Sequence, residues 1–273
     1  MRLVPLGTNG YYPSQGRQTM AFLVLWDGQA LLLDAGSGIG RLGEPGVREL
    51  VEEPEILHVA LSHFHLDHVV GVTVLPAVWP SRPVRIHAPA PPLVQADPGE
   101  ALCRLVQPPL FPVPLAEYPM PLEIERFKSE AARIGGLEVR LRRQEHPGGS
   151  VGFRLDDALA YVTDTVGEEG TVDLVEGVDL LLHEVWARAG EDASARGHSA
   201  ADRVAEIATR AGVRRLMPVH HHPASGPEDL RVLAEELAGL APGVEVVLPE
   251  EGRVYPVAAG RAAPRAERPE VGC

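Results

Sequence analysis

Residues 63–68 read His-Phe-His-Leu-Asp-His, directly after Ser62. Three imidazoles and a carboxylate share six positions, and these are the donors that zinc, manganese and iron accept. The run before them, Glu55 to Leu61, is mostly apolar and of strand length. The run after them, Val69 to Leu75, suits the start of a helix or a buried turn. The cluster therefore sits where a buried strand ends and the chain turns, held by scaffold yet open to solvent. A chance group of surface histidines is the bland alternative, but a dense His/Asp set at a strand end has no packing use.

Before the cluster, strands are predicted over residues 2–7, 20–26 and 30–34, the last two joined at Asp27-Gly28, a hairpin signal. Asp34 breaks an apolar strand at its end, either as a turn-capping residue or as a group that orients a metal ligand. A short helix suits 46–53. Residues 76–135 are dense in proline. They read as extended and partly irregular, with a strand at Val84–His87, one short helix near 99–106, and a cleft wall as the expected role. Arg17, Trp79 and Phe111 are further candidates for a pocket lining.

Regular signals then return. Strands are predicted over 137–142, 150–155, 158–163, 179–184 and 215–219. A helix is expected to start at Ser199, where Ser199-x-x-Asp202 matches a capping box, and to end at Gly212. A second helix is expected over 227–240, and strands at 244–248 and 253–255 close the sheet. One domain over 1–257 with a disordered tail over 258–273 is the expected division. Hairpin-linked strands with a few helices argue for a layered α+β domain with two sheets.

Six strands end in groups that bind metal or carry protons: Asp34, the 63–68 cluster, His146, Asp164, His183-Glu184 and His220. Buried strands should end in turn residues, not repeatedly in His and Asp. If these ends meet along one sheet edge, they build one polynuclear site in which a carboxylate with two oxygens bridges two ions. Among His220, His221 and His222, His220 follows its strand directly and is favoured. His58 and His87 read as ordinary half-buried strand residues.

With His63-x-His65-x-Asp67-His68, then His146, Asp164 and His220 in that order, the chain resembles the metallo-β-lactamase superfamily over residues 2 to about 256. The resemblance implies a four-layer αββα sandwich holding two divalent metals, usually zinc, with manganese or iron as alternatives. It implies that His63, His65 and His146 hold the first ion, that Asp67, His68 and His220 hold the second, and that Asp164 bridges them. An Asp at the bridging position, where true β-lactamases use Cys, disfavours antibiotic hydrolysis. His65, where the flavodiiron branch has Glu, disfavours di-iron redox chemistry. His183-Glu184-Val185-Trp186 resembles the His-Glu-Ala-Thr segment of the phosphodiesterase and RNase Z-like branch, and His198-Ser199-Ala200 its His-Ser-Thr segment. This implies that His198, supported by Glu184, lies near a scissile phosphate. Val185-Trp186 and Ala200 depart from the pattern, which bears on the substrate. The expected reaction is phosphodiester hydrolysis by a metal-bridging hydroxide, with His198 stabilising charge or protonating the leaving oxygen.

Composition narrows the partners. The chain carries 38 acidic against 25 basic residues, a net charge of −13. That balance disfavours nucleic acid, whose binding relies on Lys and Arg, while the resemblance implies a small, anionic substrate. The room between His146 and Asp164 is too short for a tRNA-gripping arm, which disfavours a tRNA 3′-processing endonuclease. A lactonase or a glyoxalase II-like thioesterase is the main rival, and a metal-binding sensor without turnover is a third reading. Two cysteines, Cys103 and Cys273, make no disulfide framework and suggest a reducing cytoplasm. No membrane segment is expected, and a homodimer is the prior expectation for oligomeric state.

Overall fold

Each half of the chain builds one sheet, and the two sheets face each other. In the computed structural model, which describes residues 1–259, the first half supplies β1 (Arg2–Gly7), β2 (Ala21–Trp26), β3 (Gln29–Leu33), β4 (Leu57–Ala60), β5 (Val84–Pro89) and β6 (Leu122–Phe127). The second supplies β7 (Ala131–Ile134), β8 (Leu137–Gln144), β9 (Ser150–Leu155), β10 (Leu159–Val162), β11 (Leu180–Glu184), β12 (Arg215–Val219) and β13 (Glu245–Val246). The last strand, β14 (Tyr255–Pro256), crosses back to pair with β1. The sheet orders are β14-β1-β2-β3-β4-β5-β6 and β13-β12-β11-β10-β9-β8-β7.

Three cores separate four layers. Leu31, Leu33, Phe22, Phe153, Tyr161 and Leu182 are fully buried between the sheets. The other faces of the strands pack on helices, so the central strands are apolar on both sides, as the sequence runs at 30–33 and 180–182 show. On the first sheet the cover is made of short turns, α1 (Pro45–Arg48), α2 (Leu66–Val69) and α3 (Leu75–Val78), with α4 (Pro98–Leu105). On the second it is α5 (Thr171–Val175), α6 (Ala201–Arg210) and α7 (Pro227–Leu240). Val204, Ile207, Ala208 and Ala211 of the α6 region are buried at the spacing read from the sequence. Each fully buried Leu, Val or Phe contributes about 1.5–3 kcal/mol. The result is an αββα sandwich.

Several expectations need correction. The proline-dense stretch contains β6 and forms part of the first sheet, and β7 follows at once. Proline hid the alternation of Leu122 and Ile124, whose faces are half-buried. No residue of 76–135 lines the metal-ligand cavity described below, so this stretch is not its wall, and Arg17, Trp79 and Phe111 are not in its lining. Ser199 is not a helix cap: α6 begins at Ala201, and Ser199 Oγ donates to the Thr165 carbonyl instead. Strands β13 and β14 lie in different sheets. The expected tail lies almost wholly outside the described residues.

Candidate metal centre

Strands β3 and β4 run parallel in the first sheet, as do β10, β11 and β12 in the second. Their carboxyl ends therefore share one edge of the sandwich, and β8 points the same way. Asp34 follows β3, the 63–68 cluster follows β4, His146 follows β8, Asp164 follows β10, Glu184 ends β11, and His220 follows β12. Three of these residues, Asp34, Asp164 and His220, have φ of 59°, 51° and 55°. This left-handed region is unfavourable for a side chain with a Cβ, and residues held there cluster at sites where the surrounding structure over-determines them.

The side chains form two groups around one carboxylate. His63, His65, His146 and Asp164 offer ligand atoms within 4.8 Å of one another, and so do Asp67, His68 and His220. Asp164 Oδ1 lies 3.3 Å from His146 Nε2 and 3.9 Å from His63 Nε2. Asp164 Oδ2 lies 3.1 Å from His68 Nε2 and 3.4 Å from His220 Nε2. Asp67 Oδ2 is 3.4 Å from both His68 Nε2 and His220 Nε2. Among the described residues, His63 Nε2, His68 Nε2 and both ring nitrogens of His220 are buried without a hydrogen-bond partner. Buried polar atoms in this state are costly unless something ligates them, so the donor set fits divalent cations. Burial, first among the causes, lowers the pKa of His63, His65 and His146, favouring the neutral imidazole that a metal takes.

Outer partners aim the rings. His68 Nδ1 is 2.7 Å from Asp34 Oδ2, and His63 Nδ1 is 3.0 Å from Ser62 Oγ. His146 Nδ1 is 2.9 Å from the Gly197 carbonyl, which leaves its Nε2 for the centre. Asp34 is fully buried and also accepts from the Ser62 amide, the Ser62 hydroxyl and the Tyr161 hydroxyl at 2.6, 2.8 and 2.6 Å. Its contact with His68 Nδ1 fits the second of the two readings made from the sequence, a group that orients a ligand. Tyr161 was not found from sequence, since an aromatic in an apolar strand reads as core. Two loops touch ligands through glycine. A Cβ on Gly10 would run into the His220 ring, and one on Gly197 (φ 79°) would sit 2.6 Å from His146 Nδ1.

Beside the ligand groups, His198 Nδ1 is 2.9 Å from Glu184 Oε2. Glu184 is fully buried, and its other oxygen accepts from the Thr165 amide at 2.7 Å. Burial and then the charge of Asp164 push the Glu184 carboxyl up, and the Thr165 amide pulls against them. His198 also lies with Asp164 and His220 in a third group within 4.8 Å. His183 points away, fully buried, with its Nδ1 on the Glu184 carbonyl at 2.8 Å. Of the three consecutive histidines, only His220 reaches the two carboxylates. His222 accepts from the Ala224 amide and packs on Trp186.

His65, Asp67, His146, Asp164 and His220 line a cavity of about 420 Å³ whose other walls are Tyr11, Leu66, Pro147, Trp186, Arg196 and His198. Tyr11 has φ of 65°, and its amide donates to Asp67 Oδ2 at 2.6 Å. Tyr11 is 73% exposed and Leu66 60%, so the cavity's rim is partly apolar.

The Beta-lactamase superfamily domain family matches residues 29–221. The chain is 29% identical to ribonuclease Z of Kineococcus radiotolerans, over 96% of this chain and 97% of that protein. The metallo-beta-lactamase fold protein YhfI from Bacillus subtilis superposes with a TM-score of 0.73 at 20% identity, covering 93% of this chain and 98% of that one. A diphosphatase from the PhnP family superposes with a TM-score of 0.67 at 17% identity, covering 95% and 98%. The family match spans most of the chain and includes the 63–68 cluster, His146, Asp164 and His220, so this protein belongs to the metallo-β-lactamase superfamily of hydrolases.

Proposed function

We propose that the protein is a phosphodiesterase that works with two divalent ions, zinc in the first instance, on a small anionic substrate. The observation that carries this reading is the placement of His198, braced by Glu184, on the wall of the cavity that ligands of both groups line. When bound, two such ions supply Lewis acidity toward phosphoryl oxygens and a nucleophile available near neutral pH. His63, His65 and His146 would hold one, Asp67, His68 and His220 the other, and Asp164, with an oxygen facing each group, would be shared.

The chain's own residues do the rest. The Glu184 hydrogen bond occupies His198 Nδ1 and leaves Nε2 as the nitrogen that can meet a substrate. There it can donate to an oxygen on which charge develops, or give a proton to the leaving group. Tyr11, Leu66 and Trp186 limit how much water surrounds the reacting group, and the exposed Arg196 supplies a positive charge on the same wall. The words "ribonuclease" and "diphosphatase" in the names of similar proteins support phosphoester chemistry.

An RNA-processing endonuclease is a second reading, favoured by the ribonuclease Z relative and opposed by the net charge of −13. Tight, salt-sensitive tRNA binding would favour it over the first.

The test is His198→Ala. It should keep its metal and lose roughly 10²–10⁴ in turnover of an aryl phosphodiester. Loss of metal in step with activity would make His198 a ligand, as its distance to Asp164 and His220 permits, and would remove the support it gives to this reading.

A further inference from the structure

Trp186 occupies a place where the ligand set needs no tryptophan. It follows Glu184 by two residues, on the segment leaving β11, and is half-buried. Its indole stacks on the His198 imidazole, with centroids 4.6 Å apart and planes 15° from parallel. His222 meets the same indole at 4.7 Å and 65°, and His220 lies 5.4 Å away. The backbone holds the pair together: the Trp186 amide donates to the Ser199 carbonyl at 3.0 Å, and Ala187 bridges to Ala200. The segment carrying the tryptophan thus runs beside the segment carrying the histidine.

One hydrogen bond cannot fix an imidazole. The Glu184 contact anchors Nδ1 at a point, and the ring can still swing about that point. His198 comes from a short loop between a 3-10 turn at Ser194–Arg196 and α6, with Gly197 at φ 79° just before it. Its own amide donates to the Ala193 carbonyl at 3.2 Å, which ties the backbone and leaves the orientation of the ring to its side-chain neighbours. The His146 and His220 rings also lie 5.4 and 5.3 Å from it, inclined by 55° and 31°, but the indole is nearer and nearly parallel, and tilting the imidazole would break that stack. We propose that Trp186 is a positioning residue: it sets the plane of His198, while Glu184 sets its azimuth, and it acts on turnover through His198. The inference rests on the reading that His198 meets the reacting group. It also gives a use to the departure from the Ala-Thr pattern noted at Val185-Trp186.

The rival role is a substrate-contacting wall, since Trp186 also lines the cavity. Trp186→Leu separates the two, because it keeps apolar bulk and removes the aromatic face. Steady-state kinetics and metal content are measured on the zinc-loaded protein for Trp186→Leu, Trp186→Phe, His198→Ala and the Leu/Ala double variant. The Leu variant should keep its metal and lose kcat on the order of a hundredfold, with KM little changed, as for a misplaced catalytic group. The Phe variant, which retains a face, should recover most of kcat. The double variant should be no slower than His198→Ala alone. A rise in KM at unchanged kcat, a double variant slower by the full cost of the Leu change, or metal loss in Trp186→Leu would each overturn the proposal.

A second readout needs no turnover. In the zinc-loaded protein with labelled histidine, the indole ring current should displace the His198 ring protons. They should move toward ordinary positions in the Leu variant and partway in the Phe variant, and unmoved resonances would overturn the proposal. If Trp186→Leu does not fold, the Phe variant carries this measurement alone. Kinetics run on whichever of an aryl phosphodiester, a lactone or a glutathione thioester turns over. Turnover of only the latter two would defeat the phosphodiesterase reading and leave the role of Trp186 still under test.

Discussion

Asp34 shows how much one carboxylate can organise. Its two oxygens take four hydrogen bonds from three residues, and these join the ends of β3 and β4 in one sheet to Tyr161 on β10 in the other. A group that orients a ligand imidazole typically changes metal affinity by 10–100-fold when removed. Asp34→Ala should therefore weaken binding by about that factor at the group containing His68, measured by chelator competition. It should also lower stability, since the Ser62 and Tyr161 hydroxyls each lose a buried partner worth about 1–3 kcal/mol. Unchanged affinity would mean that His68 is held by packing alone. The residue itself was legible in the sequence as a polar end to an apolar strand. Its bond to Tyr161 was not, because 127 positions separate the two and only the facing of the sheets brings them together. The left-handed backbone at Asp34, Asp164 and His220 was equally hidden, since none is a glycine.

Among the elements, the parallel strands β4, β5 and β6 carry a second histidine feature far from the ligands. His58 Nδ1 is 3.0 Å from His87 Nε2, and His87 Nδ1 is 3.1 Å from Glu125 Oε2. Both histidines are buried, not half-buried as their positions in sequence suggested. Burial first, with neighbouring positive groups, pushes each down to about 4 from 6.5. The unfolded chain therefore binds protons below pH 6.5 that the folded chain refuses until about pH 4. Stability is fully present above the unfolded value and falls as pH drops through this window, by about 1.4 kcal/mol per pH unit for each such proton. Melting temperatures of the metal-free protein and of a His58→Leu/His87→Leu variant should diverge in slope from pH 7 downward, the wild type falling faster. Parallel curves would show that these imidazoles take up protons in the fold as readily as in the unfolded chain. The same region marks where pattern reading failed. Periodicity located most strands and both long helices, because Leu, Val and Ala repeat cleanly there. Across 76–135 the prolines removed the local signal, while pairing with β5 still imposed a strand on Leu122–Phe127.

At the scale of the whole molecule, each sheet begins with antiparallel hairpins and continues with parallel strands. This arrangement directs the carboxyl ends of both parallel sets to one edge, so residues from 63 to 220 meet within a few ångströms. The convergence was readable as six polar strand ends, since the ligand types stand out against apolar strands. The partners that aim them, Ser62, Gly197 and Tyr161, come from ordinary residue types and carry no such mark. Among the described residues no helix is long and apolar enough to cross a membrane. The proposed centre is one in which two ions would share Asp164 and serve phosphodiester hydrolysis. Metal content of the purified protein and of Asp164→Ala, measured with turnover of an aryl phosphodiester, a lactone and a glutathione thioester, tests it most directly. The wild-type chain should hold two divalent ions and prefer the phosphodiester, and Asp164→Ala should lose metal and turnover together. Saturation at one ion, or hydrolysis of the lactone or thioester with the phosphodiester untouched, would contradict it.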